Sequence, residues 1–140
     1  MTLGDHEKIL LDTNIVIYLT GSTTWKTDYL PLVKGKRLHI SFMTLAELLE
    51  HGYHKNLSER NIQQLAQTLK QNHTVLPYDE NVCYRFGWIR HQRCNRPISV
   101  SDALIAATAL VYDLPLVTHN ARDFEGIDGL NVITKYQIEP

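Results

Sequence analysis

The feature that most restricts what this chain can fold into is an alternation. Short, mainly apolar runs at Ile9–Leu11, Leu38–Ser41, Val75–Pro77, Leu116–Thr118 and Val132–Ile133 are separated by stretches of helical spacing. Runs this short and continuous suit strands buried on both faces, and strands alternating with helices suit a parallel sheet covered by helices. The spacing predicts helices over Asn14–Leu19, Trp25–Val33, Thr44–Lys55, Ser58–Lys70, Asp79–Cys94 and Asp102–Tyr112. Leu45, Leu48 and Leu49 form the stripe of the third, Ile62, Leu65, Ala66 and Leu69 that of the fourth, and Val82, Phe86 and Ile89 that of the fifth. Gly21-Ser22-Thr23-Thr24 separates the first two helices, and Gly52 with the loop near Asn56 is expected to weaken the end of the third. No linker, repeat or low-complexity segment divides the chain, so residues 1–140 read as one domain.

Composition bounds the function classes. An apolar content of 44 % is enough for a single core. With 14 basic and 15 acidic residues the net charge is −1, which excludes coating nucleic acid by bulk charge but leaves room for local basic patches. Cys83 and Cys94 are the only cysteines. On one helix they would stand roughly 16 Å apart, too far to pair, and two unpaired cysteines suit a reducing cytoplasm. The start, MTLGDHEK, has no cationic segment leading into a long apolar run, so no signal peptide is expected. No stretch approaches the ~20 apolar residues that would span a membrane.

In "KILLDTNIVIYL", Asp12 interrupts an otherwise apolar run, although burying an unpaired carboxylate is costly. Ligands of parallel sheets sit outside the carboxyl ends of the strands, and Asp12 directly follows the first strand. Three more acids have comparable places: Glu47 early in the helix after the second strand, Asp102 opening the helix before the fourth, and Asp123 in "THNARDF" just beyond it. Each also has a structural reading. Asp12 could cap the first helix; Thr44-x-x-Glu47 and Ser99-x-x-Asp102 resemble capping boxes; Asp123 could be a turn residue after Asn120. Their shared placement on one predicted edge favours a joint role. Clustered carboxylates raise one another's pKa, and a divalent cation relieves the repulsion. Oxygen-only ligands favour Mg²⁺ or Mn²⁺, which suits phosphoryl transfer to water, with a second ion roughly 3.5–4 Å away steadying the leaving oxygen.

The segments "LLDTNIVIYL", "TLAELLEHG" and "SVSDALIAATALVYDLPLVTHNARDFEGIDGLNVI" resemble PIN-domain proteins, in particular the VapC-type ribonuclease toxins of type II toxin–antitoxin pairs. The resemblance covers about Ile9 to Ile133. It implies a three-layer α/β/α fold around a five-stranded parallel sheet of order 3-2-1-4-5. It places Asp12, Glu47, Asp102 and Asp123 at the family's four acidic positions, with Thr118, Asn14 and Asn120 as supporting groups and Thr13 with Asn14 orienting Asp12. On this resemblance Asp12 and Asp102 are the expected direct metal ligands. Glu47 binds metal or helps deprotonate the attacking water, and Asp123 acts through water or on a second ion. The implied activity is Mg²⁺- or Mn²⁺-dependent cleavage of RNA to a 5′-phosphate and a 3′-hydroxyl. The implied partners are a second copy of the chain and a small VapB-like antitoxin, through which alone DNA would be contacted.

Between Asn81 and Ser101 there is no acid, but Arg85, Arg90, Arg93 and Arg96 are interleaved with Tyr84, Phe86 and Trp88. Arg93 continues the inward stripe at the helix end and is expected to hold a substrate phosphate with two hydrogen bonds; the alternative is a solvated helix. Lys34, Lys36 and Arg37 read as a solvated turn, and His119 as peripheral to the chemistry. Glu47, His51 and His54 share a helix face and could bind zinc, although no HExxH pattern is present. Leu30, Val33, Leu48 and Tyr53 could form a dimer surface or belong to the core. Two other functions compete. One is phosphate-ester hydrolysis through an aspartyl-phosphate, for which Asn14 stands where a second acid is usual. The other is a PIN-fold module that binds RNA or protein without catalysis.

Overall fold

A computed structural model describes residues 7–21 and 24–135. Met1–His6 of the N-terminal stretch, and Ser22 and Thr23 of the expected break, lie outside the described residues. The elements, in order, are β1 (Lys8–Leu11), α1 (Thr13–Thr20), α2 (Thr24–Val33), β2 (Arg37–Ser41), α3 (Phe42–His54), α4 (Glu59–Asn72), β3 (Thr74–Leu76), α5 (Glu80–Gln92), α6 (Val100–Val111), β4 (Leu116–Val117), a short 3₁₀ turn (Ala121–Phe124) and β5 (Val132–Ile133). The strands form one sheet of order β3-β2-β1-β4-β5 with every pairing parallel, as the resemblance implies. The sheet register sets Leu10 opposite His39 and Leu116, and Leu11 opposite Val117.

Strand alternation divides the interior into two layers. Ile9, Leu11, Ile40 and Val117 face a core completed by Ile15 and Val16 of α1, Tyr29 and Val33 of α2, Leu48 of α3 and Leu69 of α4. Leu10, Leu76 and Leu116 face the other way, onto Val82 and Ile89 of α5 and the buried alanines of α6. Both faces of β1 are therefore apolar, which is why its sequence shows no polar alternation.

The helix ends correct three expectations. Ser41, rather than Thr44, caps α3: its Oγ accepts from Thr44 N at 3.0 Å, so the Thr44–Glu47 capping box is not formed and Glu47 is left for another use. Gly52 does not weaken α3. A Cβ there would lie 2.7 Å from Ile62 Cδ1, so glycine lets α3 and α4 approach, and the helix runs on to His54. It then stops where Asn56 takes φ 59° and Leu57 N donates back to Gly52 O at 3.1 Å, a Schellman-type end. Helix α5 ends at Gln92, two residues before Cys94, with Arg93 as its cap. Val33 and Leu48 are buried in the core, whereas Leu30 and Tyr53 are about half exposed. Both cysteines are exposed and unpaired. Among the described residues no helix is long and apolar enough to cross a membrane.

Candidate active site

The carboxyl ends of β1, β2 and β4 meet at one edge of the sheet, and the polar groups gathered there are cross-linked. Asp12 leaves β1 and starts α1, and is only 6 % exposed. Its Oδ1 accepts from Thr13 N at 2.8 Å, capping the helix. Its Oδ2 accepts from Thr118 Oγ1, just past β4, at 2.7 Å. Thr118 is fully buried and also accepts from Asn120 N at 3.1 Å. Burial raises the pKa of Asp12 to about 6; the two hydrogen bonds oppose this, and the charges of Asp102 and Glu47 add to it.

Thr13 links the second acid to the first. Its hydroxyl donates to Glu47 Oε1 at 2.6 Å and stands 3.1 Å from Thr44 Oγ1. Thr44 is fully buried and lies 3.3 Å from Ser41 Oγ, so a row of hydroxyls joins the ends of β1 and β2. The sequence reading treated Thr44 only as a cap. A threonine facing inward, one turn before an acid on an amphipathic helix, was the available signal.

Asp102 sits in the first turn of α6, where its backbone N–H is taken by the Ser99 cap at 3.1 Å. Partial burial raises its pKa, as do Asp123 and Glu47, while Ser99 and the Arg93 guanidinium lower it. Asp123 is exposed, in the 3₁₀ turn beyond β4. Asn14 is half-buried in the first turn of α1. Electrostatically the acids form one chain: Asp12 feels Asp102 and Glu47, and Asp102 feels Glu47 and Asp123.

Arg93 is used differently from the sequence expectation. It is 6 % exposed, its Nε donates to Arg96 O at 2.8 Å, and its Nη1 donates to Asp123 O and Glu125 O, both at 3.0 Å. Those bonds pin the loop that carries Asp123 to the end of α5. Arg96 is exposed, and donates to Glu125 Oε2 at 3.1 Å and to Arg122 O at 2.7 Å. The sequence places it among four arginines but singles out Arg93, because Arg96 lies off the inward stripe.

The donor chemistry suits a hard divalent cation: oxygen ligands only, mutually repelling, two of them with raised pKa. Among the described residues, however, no group of three or more His, Cys, Asp or Glu side chains is arranged so that it could hold a metal ion. That includes the zinc reading of Glu47, His51 and His54; both histidines are exposed and Glu47 is bonded to Thr13.

The family model for the PIN domain matches residues 9–130. The chain belongs to the PIN-domain family. Among its relatives, this PIN domain is 33 % identical over 125 residues to ribonuclease VapC1 of Haemophilus influenzae strain R2866, covering 86 % of this chain and 92 % of that one. It is 33 % identical over 126 residues to the tRNA(fMet)-specific endonuclease VapC of Shigella flexneri, covering 88 % and 94 %. Its fold is similar to that in the structure of VapBC-1 from nontypeable Haemophilus influenzae, with a TM-score of 0.76, 29 % identity, and coverage of 92 % of this chain and 98 % of the other.

Proposed function

We propose that this PIN domain is a cytoplasmic, Mg²⁺- or Mn²⁺-dependent endoribonuclease, the toxin of a toxin–antitoxin pair. What supports the reading is the mutual electrostatic influence of Asp12, Glu47, Asp102 and Asp123, with Asp12 fixed between Thr13 N and Thr118 Oγ1. Its similarity to proteins named VapC ribonucleases supports it.

Asp12 and Asp102 would hold the cation, with Glu47 and Asp123 completing its surroundings. When bound, the cation would acidify water and offset charge on the phosphate. The chain's own groups do the rest. Thr118 and Thr13 N keep the Asp12 carboxylate in one orientation. Thr13 holds Glu47 so that its other oxygen can receive a proton from the attacking water. Arg93 acts as a positioning residue for Asp123 through the loop carbonyls, and Asn120 reinforces Thr118. An antitoxin related to VapB would silence the enzyme by covering this edge, and any operator contact would belong to it; the similar VapBC-1 structure supports such a partner. Exposed Leu30 and Tyr53 support a second copy as a further partner.

Cleavage of total RNA by the purified chain, with sequencing of the new ends, tests the proposal. Mg²⁺-dependent ends carrying 5′-phosphate, lost in EDTA and in Asp102→Asn, are expected. The absence, among the described residues, of a preassembled group of three ligands favours a second reading, a PIN-fold module that binds RNA or protein without catalysis. Calorimetric titration with Mg²⁺ and Mn²⁺ separates the two, since the inert module would bind neither.

A further inference from the structure

Two clefts adjoin at the acidic edge and share a wall. The smaller, about 270 Å³, is lined by Asp102, Asp123, Ser99, Arg93 and Arg96 among others. The larger, about 530 Å³, is lined by Arg96, His119, Asn120, Ala121, Arg122 and Asp123. Arg96 and Asp123 belong to both. The larger cleft falls within the roughly 300–1,000 Å³ typical of small-ligand sites.

His119 forms one wall of the larger cleft and is held firmly. The hydroxyl of fully buried Tyr29 lies 2.8 Å from its Nδ1. The rings of Trp25, Tyr18 and Tyr29 surround it at centroid distances of 4.3, 5.6 and 5.7 Å. Lys135 stands 4.1 Å over Trp25 and pairs with Asp28 at 3.1 Å. Partial burial and Lys135 lower the pKa of His119, which favours the neutral ring. The cleft thus presents a fixed aromatic plane, the carboxamide of Asn120, and the guanidiniums of Arg96 and Arg122. Arg96 is oriented by its bonds to Glu125 and to the Arg122 carbonyl. A plane for stacking, an amide for a base edge and forked cations for phosphate together match a nucleotide of single-stranded RNA.

Given the ribonuclease reading, we propose that the cleft between His119 and Arg122 is a nucleotide-recognition subsite, which stacks the base beside the scissile phosphate on His119 and holds its phosphate with Arg96 and Arg122. It selects the base next to the cut through stacking on His119 and the Asn120 carboxamide at the base edge, so His119 is a specificity residue, while Arg96 and Arg122 supply affinity for phosphate.

Binding and cleavage are measured separately. In EDTA, Trp25 fluorescence of a Trp88→Phe variant is followed while rA, rC, rG and rU pentanucleotides, inorganic phosphate, or an acidic peptide is added. Saturable quenching with a preference among the four bases is expected. It should weaken roughly tenfold in His119→Ala and in Arg122→Ala and be largely retained in His119→Phe, which keeps the plane. In cleavage assays the two alanine variants should raise KM about tenfold and change kcat less, and His119→Ala should also blur the base preference at the sequenced ends. Equal binding of all four pentanucleotides, equal competition by phosphate, or tight binding of the peptide alone overturns the subsite. If the wild-type chain cleaves RNA and both alanine variants keep its KM and base preference, the subsite fails while the ribonuclease reading stands. If the chain binds in a base-selective, His119-dependent way but cleaves nothing, the subsite stands and the ribonuclease reading fails.

Discussion

The two ends of the sheet carry opposite charge and are built in opposite ways. At the carboxyl ends of the strands, Asp12 is buried and Glu47 partly so, and both are tied by threonine hydroxyls that bridge β1, β2 and β4. At the amino ends, Lys8, Lys36, Arg37 and Lys70, with His39 and His73, line an open cleft of about 640 Å³. There Lys36 pairs with exposed Glu7 at 2.7 Å. Bases in water need no scaffold, whereas acids kept from water need one. The presence of a scaffold, more than the charge itself, marks the end where chemistry is expected.

The largest effect should come from removing an acid at the scaffolded end. Asp102→Asn is expected to lower RNA cleavage at least about a thousandfold, while Lys70→Ala at the other end changes it less than about threefold. Comparable losses in both variants would erase the distinction between the ends. Arg93→Ala comes next. It strips donors from three carbonyls around the Asp123 loop and should cost about 3 kcal/mol in urea unfolding. If stability is unchanged and only RNA affinity falls, Arg93 contacts phosphate after all.

The third prediction concerns pH. The carboxyl of Asp12 titrates near 6 in the fold against an ordinary 3.8. The folded state therefore holds the proton more tightly than the unfolded one. This contribution to stability is present below about pH 4, declines as pH rises through 6, and is absent above it. In EDTA at pH 7, Asp12→Asn should accordingly be more stable than wild type by about 3 kcal/mol, with the difference shrinking toward zero by pH 4. A pH-independent difference in chemical denaturation would show that Asp12 is not held in this way. The smallest effect belongs to the solvated end: Lys36→Ala should change stability by less than about 1 kcal/mol, and less still in high salt.

The same contrast explains what could be read in the sequence. Strands buried on both faces leave continuous apolar runs, so all five strands were legible to within one residue at each end, β1, β2 and β3 each beginning one residue earlier than expected. The edge on which the acids lie was also legible, because each adjoins the carboxyl end of a strand or a helix start. The ties were not. The bond from Thr13 to Glu47 spans 34 residues and exists only once α1 packs beside α3. Thr44 looked like the cap and Ser41 like the end of a strand, and only packing decides that Ser41 caps while Thr44 joins the hydroxyl row. Arg93 was correctly read as facing inward, but its partners are backbone carbonyls of a loop that has no sequence pattern of its own. The 3₁₀ turn, a single turn of four residues, was too short to leave a periodic trace.

Strand β4 is made late yet sits directly beside β1, near the middle of the sheet. While a ribosome is still translating the first hundred residues, Asp12 has no Thr118 to brace it, and Asp102 and Asp123 do not yet exist. The edge is thus assembled only once the chain beyond residue 100 has been made.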